Sequence, residues 1–139
     1  MMESKKSKIQ FERFLVRENH IVFRNITDYK ISIDFEARGL IRKKETQFFL
    51  HLLANVKDED DNFDISILTE SLFSYDSEAN VDELINSLFT VNAPAIVFPY
   101  IRAYISSLTA LSGMPVLTIP TLNLTKLGAK LKENITIEE

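Results

Sequence analysis

The 42 residues from Leu84 to Thr125 carry a single charged side chain, Arg102, although the whole chain of 139 residues has 36. Such a stretch must be buried by the rest of the chain, by another subunit or by a membrane. A membrane span needs about 20 apolar residues, and the longest run here without a clearly polar side chain is residues 93–101. No apolar run typical of a signal peptide follows the N-terminus. We therefore predict a soluble, cytoplasmic protein without membrane insertion.

Upstream of this stretch, polar and apolar residues alternate with the period of β-strands. The alternation is clearest where Tyr29, Ile31, Ile33 and Phe35 share one face. The predicted strands cover residues 9–16 with a continuation at 21–23 after a break, residues 29–35, residues 45–57 and residues 63–75. In the last of them the phase slips near residues 68–71, which predicts a bulge. Four strands with short connections predict an antiparallel meander.

The period then changes to that of helices. Asn80 and Glu83 have the spacing of a capping box, which predicts a short helix ending near residue 89. Asn92 is the predicted N-cap of a longer helix that runs to residue 111 or 112. Pro99 is expected to kink this helix, and Gly113 is expected to end it.

The remaining residues complete an α+β fold. An extended apolar loop is predicted at residues 114–124, followed by an amphipathic helix at 125–133. Residues 8–133 therefore form a single predicted domain. We expect residues 1–7 to be a disordered tail and residues 134–139 to be a flexible acidic tail.

The long helix is apolar around nearly its whole circumference. One sheet covers only one side of a helix, and leaving the other side wet forgoes about 1.5–3 kcal/mol per large apolar side chain. We predict that a second copy of the chain covers the helix; the alternative is a different protein partner. The predicted interface residues are Ile96, Val97, Tyr100, Ile101, Arg102, Tyr104, Ile105 and Leu108. Arg102 is expected to be a structural hydrogen-bond or ion-pair residue there.

The residues that most enzymes and metal sites need are scarce. The chain has no Cys, two His and three Gly, so Cys-based metal sites, a P-loop and a dinucleotide-binding loop are excluded. His51 is a single histidine on a predicted strand and is predicted to be structural. The acidic run at residues 58–61 is predicted to be a solvated turn. A net charge of −4 disfavours nucleic-acid binding. We predict no catalytic residue, metal or cofactor.

Apolar binding is the chemistry that remains. The strip from Tyr29 to Phe35 and the loop at residues 114–124 both offer aliphatic surface. The two strips either pack together as core or leave a groove between them, because an extended loop cannot bury itself fully.

Residues 92–106 read NAPAIVFPYIRAYIS. The combination of Phe98, Pro99, Tyr100 and Arg102 resembles the signature helix of the SecB family of tetrameric bacterial export chaperones. Gly113-Met114-Pro115 follows at the family's distance, and residues 116–124 resemble its crossover loop.

This resemblance implies a SecB-like fold with a lid-like last helix. It implies that the chain assembles as a homotetramer, a dimer of dimers. It also implies that the protein is an ATP-independent holdase that binds unfolded preproteins during protein export. It also implies grooves lined by the second strand, the crossover loop and the last helix. The implied groove residues are Tyr29, Ile31, Ile33, Val116, Leu117, Ile119, Leu122, Leu124 and Leu127.

The family docks on the SecA translocase ATPase with acidic residues on its first and fourth strands. This sequence matches those acidic positions less well. Arg24 and Ser66 occupy those positions, and Glu18 and Glu70 are out of register. Two alternatives therefore stay open: a chaperone dedicated to one client, such as an antitoxin of a toxin–antitoxin system, and an interaction subunit that is not a chaperone. A small-ligand enzyme ranks last.

Overall fold

The computed structural model describes residues 8–120 and 122–139, so the predicted tail at residues 1–7 lies outside it. Within this part of the chain, five strands form one mixed sheet in the order β1-β4-β3-β2-β5. The elements are β1 (Ile9–Phe23), β2 (Ile31–Arg42), β3 (Gln47–Asp58), β4 (Phe63–Tyr75), α1 (Val81–Asn86), α2 (Ala93–Leu111), α3 (Thr125–Lys132) and β5 (Ile135–Glu138). The α+β prediction is confirmed, and β1–β4 pair antiparallel with one another. The predicted meander is wrong for β1, which pairs with β4 and not with β2, so only β2, β3 and β4 follow one another in the sheet.

β4 alternates strictly between buried and half-buried residues along its whole length. The predicted bulge near residues 68–71 is therefore wrong. Thr69 and Ser71 are fully buried in phase with the apolar residues, and the Thr69 hydroxyl donates to the Leu52 carbonyl at 3.2 Å. Because these two hydroxyl side chains occupy inward positions, the alternation of apolar residues changes phase in the sequence although the strand itself stays regular.

The irregularities lie in β1 instead. Its pairing with β4 shifts register between Phe11 and Arg13 and again between Val16 and Glu18. A bulge inserts one residue and thereby moves the following side chains to the other face. β1 is consequently one continuous strand, and the predicted break within it is wrong.

Asp58 closes the turn between β3 and β4. Its side chain is 2% exposed and accepts hydrogen bonds from the Lys30 amide at 2.8 Å and from the Asn62 amide and side chain at 3.2 and 2.6 Å. Burial alone would raise the pKa of Asp58, but these hydrogen bonds outweigh it and hold the pKa below its ordinary value of 3.8.

We expect Asp58→Asn to lower the melting temperature at pH 7 and to lose this disadvantage in acid. A carboxyl whose pKa is lowered by folding stabilises the protein above its unfolded pKa, and this contribution disappears as the pH falls through the folded pKa. Thermal melts of both proteins between about pH 7 and pH 2.5 measure the difference. Parallel curves over the whole range would contradict this role.

The helical region is continuous from α1 to α2. The Asn80 side chain accepts from the Glu83 amide at 3.2 Å, which confirms the predicted cap of α1. A single π-helical turn, Leu88–Asn92, then connects α1 to α2. Asn92 has a helical backbone and no capping hydrogen bond, so its predicted role as N-cap is wrong. The π turn instead buries Phe89, whose ring stacks on Phe48 at 4.1 Å.

α2 ends at Leu111, and Gly113 follows with a φ of 81°, as predicted. The helical segment Val81–Leu111 is long and apolar enough to span a membrane, and no second helix in the described residues meets that criterion. However, Val97, Ile101 and Ile105 are fully buried within this single chain. The segment is therefore the core helix of the fold.

The predicted acidic tail contains β5, which pairs in parallel with the end of β2. The Gly39 amide donates to the Asn134 carbonyl at 3.1 Å, and the Lys43 amide donates to the Glu138 carbonyl at 3.0 Å. The expectation of a frayed tail after residue 133 is wrong for this segment. Ile135 and Ile137 alternate with polar residues, but four residues are too few to predict a strand, and the partner strand lies nearly 100 residues away in the sequence.

Candidate functional site

Three of the nine predicted groove residues belong to the core. Leu117, Ile119 and Leu127 are 3%, 1% and 6% exposed. The loop folds back along α2 at this point: the Leu117 amide donates to the Thr109 hydroxyl at 3.0 Å, and its carbonyl accepts from Ser106 at 2.9 Å. These three side chains therefore stabilise the fold and are not accessible to a ligand.

The other six groove residues keep accessible apolar surface. Val116 is 58% exposed and Ile31 is 37% exposed. The remaining four are half-buried and pack against the core, namely Tyr29, Ile33, Leu122 and Leu124. The Tyr29 ring meets Phe63 edge-on at 4.7 Å between ring centroids. Burial, with a smaller contribution from the Asp58 carboxylate, raises the pKa of Tyr29 above its ordinary value.

Leu124 lines a cleft of about 330 Å³ between α3 and the start of α2. Val91, 61% exposed, and Ala95 form its opposite wall. Neither residue is among those predicted from the sequence to line the groove. They lie inside the uncharged stretch, but the pattern of a helix that is apolar all round does not show which side stays uncovered.

Gly128 lets α3 lie directly on the π turn. A Cβ atom at this position would lie 2.5 Å from the Thr90 carbonyl oxygen, which is closer than such contacts allow. The Thr90 hydroxyl in turn donates to the Ile85 carbonyl at 2.7 Å, so the turn has its own hydrogen bond and resists displacement. The width of the apolar cleft therefore depends on a residue without a side chain.

We expect Gly128→Ala to push α3 away from the π turn and to lower the free energy of unfolding by about 1–3 kcal/mol, the usual cost of overpacking. Urea denaturation measures this loss. Lys126→Ala is the control, because it shortens an exposed side chain of the same helix to a good helix former and adds nothing beside the π turn. If Gly128→Ala is as stable as the wild type, the close contact is wrong.

The predicted interface residues of α2 also divide into two groups. Val97, Ile101 and Ile105 are fully buried within the chain, so they are not available to a second subunit. Ile96 is 36% exposed and Tyr100 is 47% exposed. The half-buried members are Arg102, Tyr104 and Leu108.

The outward face of α2 is uncharged. It is made of small or apolar side chains, namely Ala95, Ile96, Pro99, Tyr100, Ala103, Ser107, Ala110 and Leu111, and we call it the α2 face. Tyr100 also packs on Phe11 and Phe14 of β1, with ring centroids 5.2 and 5.4 Å apart. Apolar surface on an exposed helix of this kind is typical of protein contacts.

Arg102 and Tyr104 lie at the border of the α2 face, and the polar group of each makes a contact within the chain. The Arg102 guanidinium lies 5.0 Å from the centre of the Phe98 ring, a cation–π contact. The Tyr104 hydroxyl accepts a hydrogen bond from Asn19 at 2.7 Å. The first contact lies within α2 and the second joins α2 to β1, and both orient side chains that border the uncovered face.

The opposite face of the sheet holds a cavity of about 740 Å³ with mixed charges, lined by Glu18, His20, Glu36, Arg38, His51 and Ser66 among others. Nearby, Glu70 is engaged by His51 at 3.1 Å and by Arg17 at 3.5 Å. Arg24 pairs with two aspartates of the β3–β4 hairpin. Glu70 and the two hairpin aspartates are therefore paired within the chain.

Among residues 8–120 and 122–139, no three His, Asp or Glu side chains are grouped as metal ligands. In the acidic run at 58–61, the Asp58 carboxylate accepts the hydrogen bonds of its own turn. The candidate binding surfaces are therefore the accessible apolar ones, which lie on β2, the loop at residues 114–124, the α3 cleft and α2.

The chain thus has an α+β fold with apolar strips that are accessible to solvent. The family model described as preprotein translocase subunit SecB matches residues 16–134, most of the chain. The chain belongs to the SecB family. This result confirms the resemblance drawn from the residues around Phe98 and Arg102.

Two individual proteins are also similar to this chain. An uncharacterized protein of Methanocaldococcus jannaschii, MJ0357, is 24% identical over 92% of this chain and 87% of its own length. The SecB-like chaperone Rv1957 of Mycobacterium tuberculosis, solved with a peptide from the antitoxin HigA1, has a TM-score of 0.71 at 16% identity. That alignment covers 83% of this chain and 88% of Rv1957. The fold is thus SecB-like, and family and fold together support a chaperone role.

Proposed function

We propose that this protein is an ATP-independent holdase that binds unfolded polypeptides through its uncovered apolar surfaces. The observation that carries the proposal is the apolar surface left accessible on β2, the loop and the α3 cleft in a member of a chaperone family. Isolated apolar residues on a surface are common, but strips on adjoining elements indicate a binding site.

The chemistry of these surfaces suits an extended and apolar client. Ile31 and Val116 offer aliphatic contacts, and the half-buried Tyr29 adds an aromatic ring held by Phe63. A client chain that reaches several such sites at once gains affinity by avidity, although each contact is weak. Binding of this kind needs no cofactor and no nucleotide.

Suppression of aggregation tests the holdase proposal. We expect the protein to keep a chemically denatured, unrelated polypeptide in solution after dilution, without added ATP, at near-stoichiometric ratios. Light scattering during dilution is the measurement, and an equal mass of a folded protein of similar charge is the control. Unchanged aggregation of several unrelated clients would contradict a general holdase.

A chaperone dedicated to one client is the second candidate function. Its support is the structural similarity to Rv1957, a chaperone solved with an antitoxin peptide, and the state of the predicted SecA-docking region, where Arg24 pairs with two aspartates and Glu70 pairs with Arg17. Pull-down from native cytoplasmic lysate followed by proteomics separates the two. Many secretory precursors would support protein export, whereas one antitoxin-like client would support the dedicated role.

We also propose that the α2 face is the contact between subunits of a homotetramer, a dimer of dimers. The face is uncharged, and Ile96, Tyr100 and Leu111 are 36%, 47% and 89% exposed on it. Burying large apolar side chains of this kind gives about 1.5–3 kcal/mol each. Compared with the sequence prediction, the proposed contact loses the buried residues Val97, Ile101 and Ile105.

A further inference from the structure

The charge around the α3 cleft is all of one sign. Of the eight residues that line it, Lys132 is the charged one, and the others have apolar or hydroxyl side chains or are glycine. The opposite wall, which includes Val91, belongs to the stretch from Leu84 to Thr125, whose single charged residue is Arg102. α3 itself reads TKLGAKLK, with three lysines and no acidic residue. The cleft therefore lies between a neutral wall and a positive one.

The three lysines of α3 differ in what they contact. The Lys130 ammonium donates to the Phe35 carbonyl at 3.2 Å and lies 3.8 Å from the Asp34 carboxylate, so it is held against β2. The side chains of Lys126 and Lys132 are exposed and form no ion pair or hydrogen bond with the residues that the structure describes. The ammonium group available at the cleft is therefore that of Lys132.

Gly128 determines where Lys132 lies. Because Gly128 has no side chain, this face of α3 rests on the Thr90 carbonyl of the π turn. Lys132 follows Gly128 by four residues, about one helical turn, and so lies on the same face. A lysine has an apolar stem and a charged tip. Lys132 can therefore border the apolar space with its stem and keep its charge at the rim.

The local charge and the net charge of the chain act in opposite directions. The chain carries −4 overall and attracts basic segments, whereas Lys132 attracts acidic ones. At physiological ionic strength charges are screened beyond about 8 Å, so a segment seated in the cleft responds mainly to Lys132. The cleft volume of about 330 Å³ is near the lower end for ligand sites, roughly 300–1,000 Å³. It suits a few side chains of an extended segment rather than a folded partner.

We propose that the α3 cleft selects client segments in which apolar side chains adjoin an aspartate or a glutamate. The apolar side chains pack on Val91 and Leu124, and the acidic side chain pairs with Lys132 at the rim. This inference rests on the proposed function and names the class of segment that one of its surfaces prefers. A basic flank would instead place two positive charges together. An exposed ion pair strengthens binding by about two- to fivefold, so it decides preference among clients rather than overall affinity.

Three fluorescent peptides test this preference by anisotropy. They share a core of alternating leucine and alanine within a Gly/Ser-rich frame, and the residues on each side of the core are glutamate, glutamine or lysine. We expect the glutamate peptide to bind most tightly and the lysine peptide least tightly, with steps of about two- to fivefold in about 0.15 M salt and little difference in about 1 M salt. The reverse order, which the net charge of −4 would produce, would overturn the inference.

Matched variants connect the preference to Lys132. Lys132→Gln removes the charge, keeps a good helix former and should make the glutamate and glutamine peptides bind equally. Lys44→Gln, in the exposed turn between β2 and β3, makes the same change in net charge and should preserve the order. Val91→Asp leaves α3 unchanged, places an acid on the opposite wall at a position that is 61% exposed, and should abolish the preference for glutamate.

The outcomes separate this inference from the proposed function. Equal binding of the three peptides to the wild type, or an unchanged order in Lys132→Gln, would overturn the inference and leave the holdase proposal intact. If denatured clients are held but none of the peptides binds, the cleft is not a client site and only this inference fails. If no client is held either, the proposed function fails as well.

Discussion

Replacing Ile96 by aspartate is expected to reduce the particle from about four times the 16.0 kDa chain to one or two chains. Ile96 is 36% exposed on the α2 face, so a charge there stays solvated in a separate chain but is buried when two such faces meet. A buried unpaired charge costs several kcal/mol. Size-exclusion chromatography with light scattering at micromolar concentration gives the mass.

Two further variants make this result specific. Asn86→Asp adds the same charge on an exposed residue of α1 and should leave the mass unchanged. Val97→Asp, one residue from Ile96 but fully buried, should instead unfold the chain, which circular dichroism detects. A wild-type mass near 16.0 kDa would contradict the proposed assembly.

The double variant Ile31→Asp with Val116→Asp should weaken binding of an unfolded client by about tenfold or more, because both charges would lie in the apolar contact and lose their water on binding. The two side chains are 37% and 58% exposed, so the fold should tolerate the changes. Anisotropy with a labelled, permanently unfolded polypeptide measures the affinity.

Leu15→Asp is the matched control for this experiment. Leu15 is 37% exposed, like Ile31, but the β1 bulges place Phe14 and Val16 on the core side, so Leu15 lies on the opposite face. It should leave client binding unchanged. If the double variant binds as the wild type does, the surface of Ile31 and Val116 is not the client site. Leu117→Asp is unsuitable because Leu117 is buried and the variant would lose the fold.

Much of the fold could be predicted because its signals are local. The alternation of β2 and β3, the cap at Asn80 and the stop at Gly113 each depend on neighbours within a few residues. The bulges of β1 could not be predicted, because alternation in a bulged strand depends on the register of the partner strand. The π turn was hidden for a similar reason, since burial of Phe89 against Phe48 decides it.

The candidate site was predictable only in part. The resemblance pointed to β2, the loop and α3, and six of the nine residues named from it keep accessible surface. Leu117 and Val116 are neighbours in one extended loop, yet one is 3% and the other 58% exposed. A sequence states that both are apolar, but only packing against α2 separates an anchor from a contact.

By itself, the sequence determined that this chain is an α+β protein of the SecB family with a stretch from Leu84 to Thr125 that must be covered. Period and charge determine the fold class and the need for cover, because charge and side-chain polarity act residue by residue, whereas the motif around Phe98 and Arg102 indicates the family. The tertiary structure alone decided which side of α2 stays uncovered and that β5 completes the edge of β2. The physical reason is that burial and strand pairing are relations between segments distant in the chain, whose energies appear only once those segments meet.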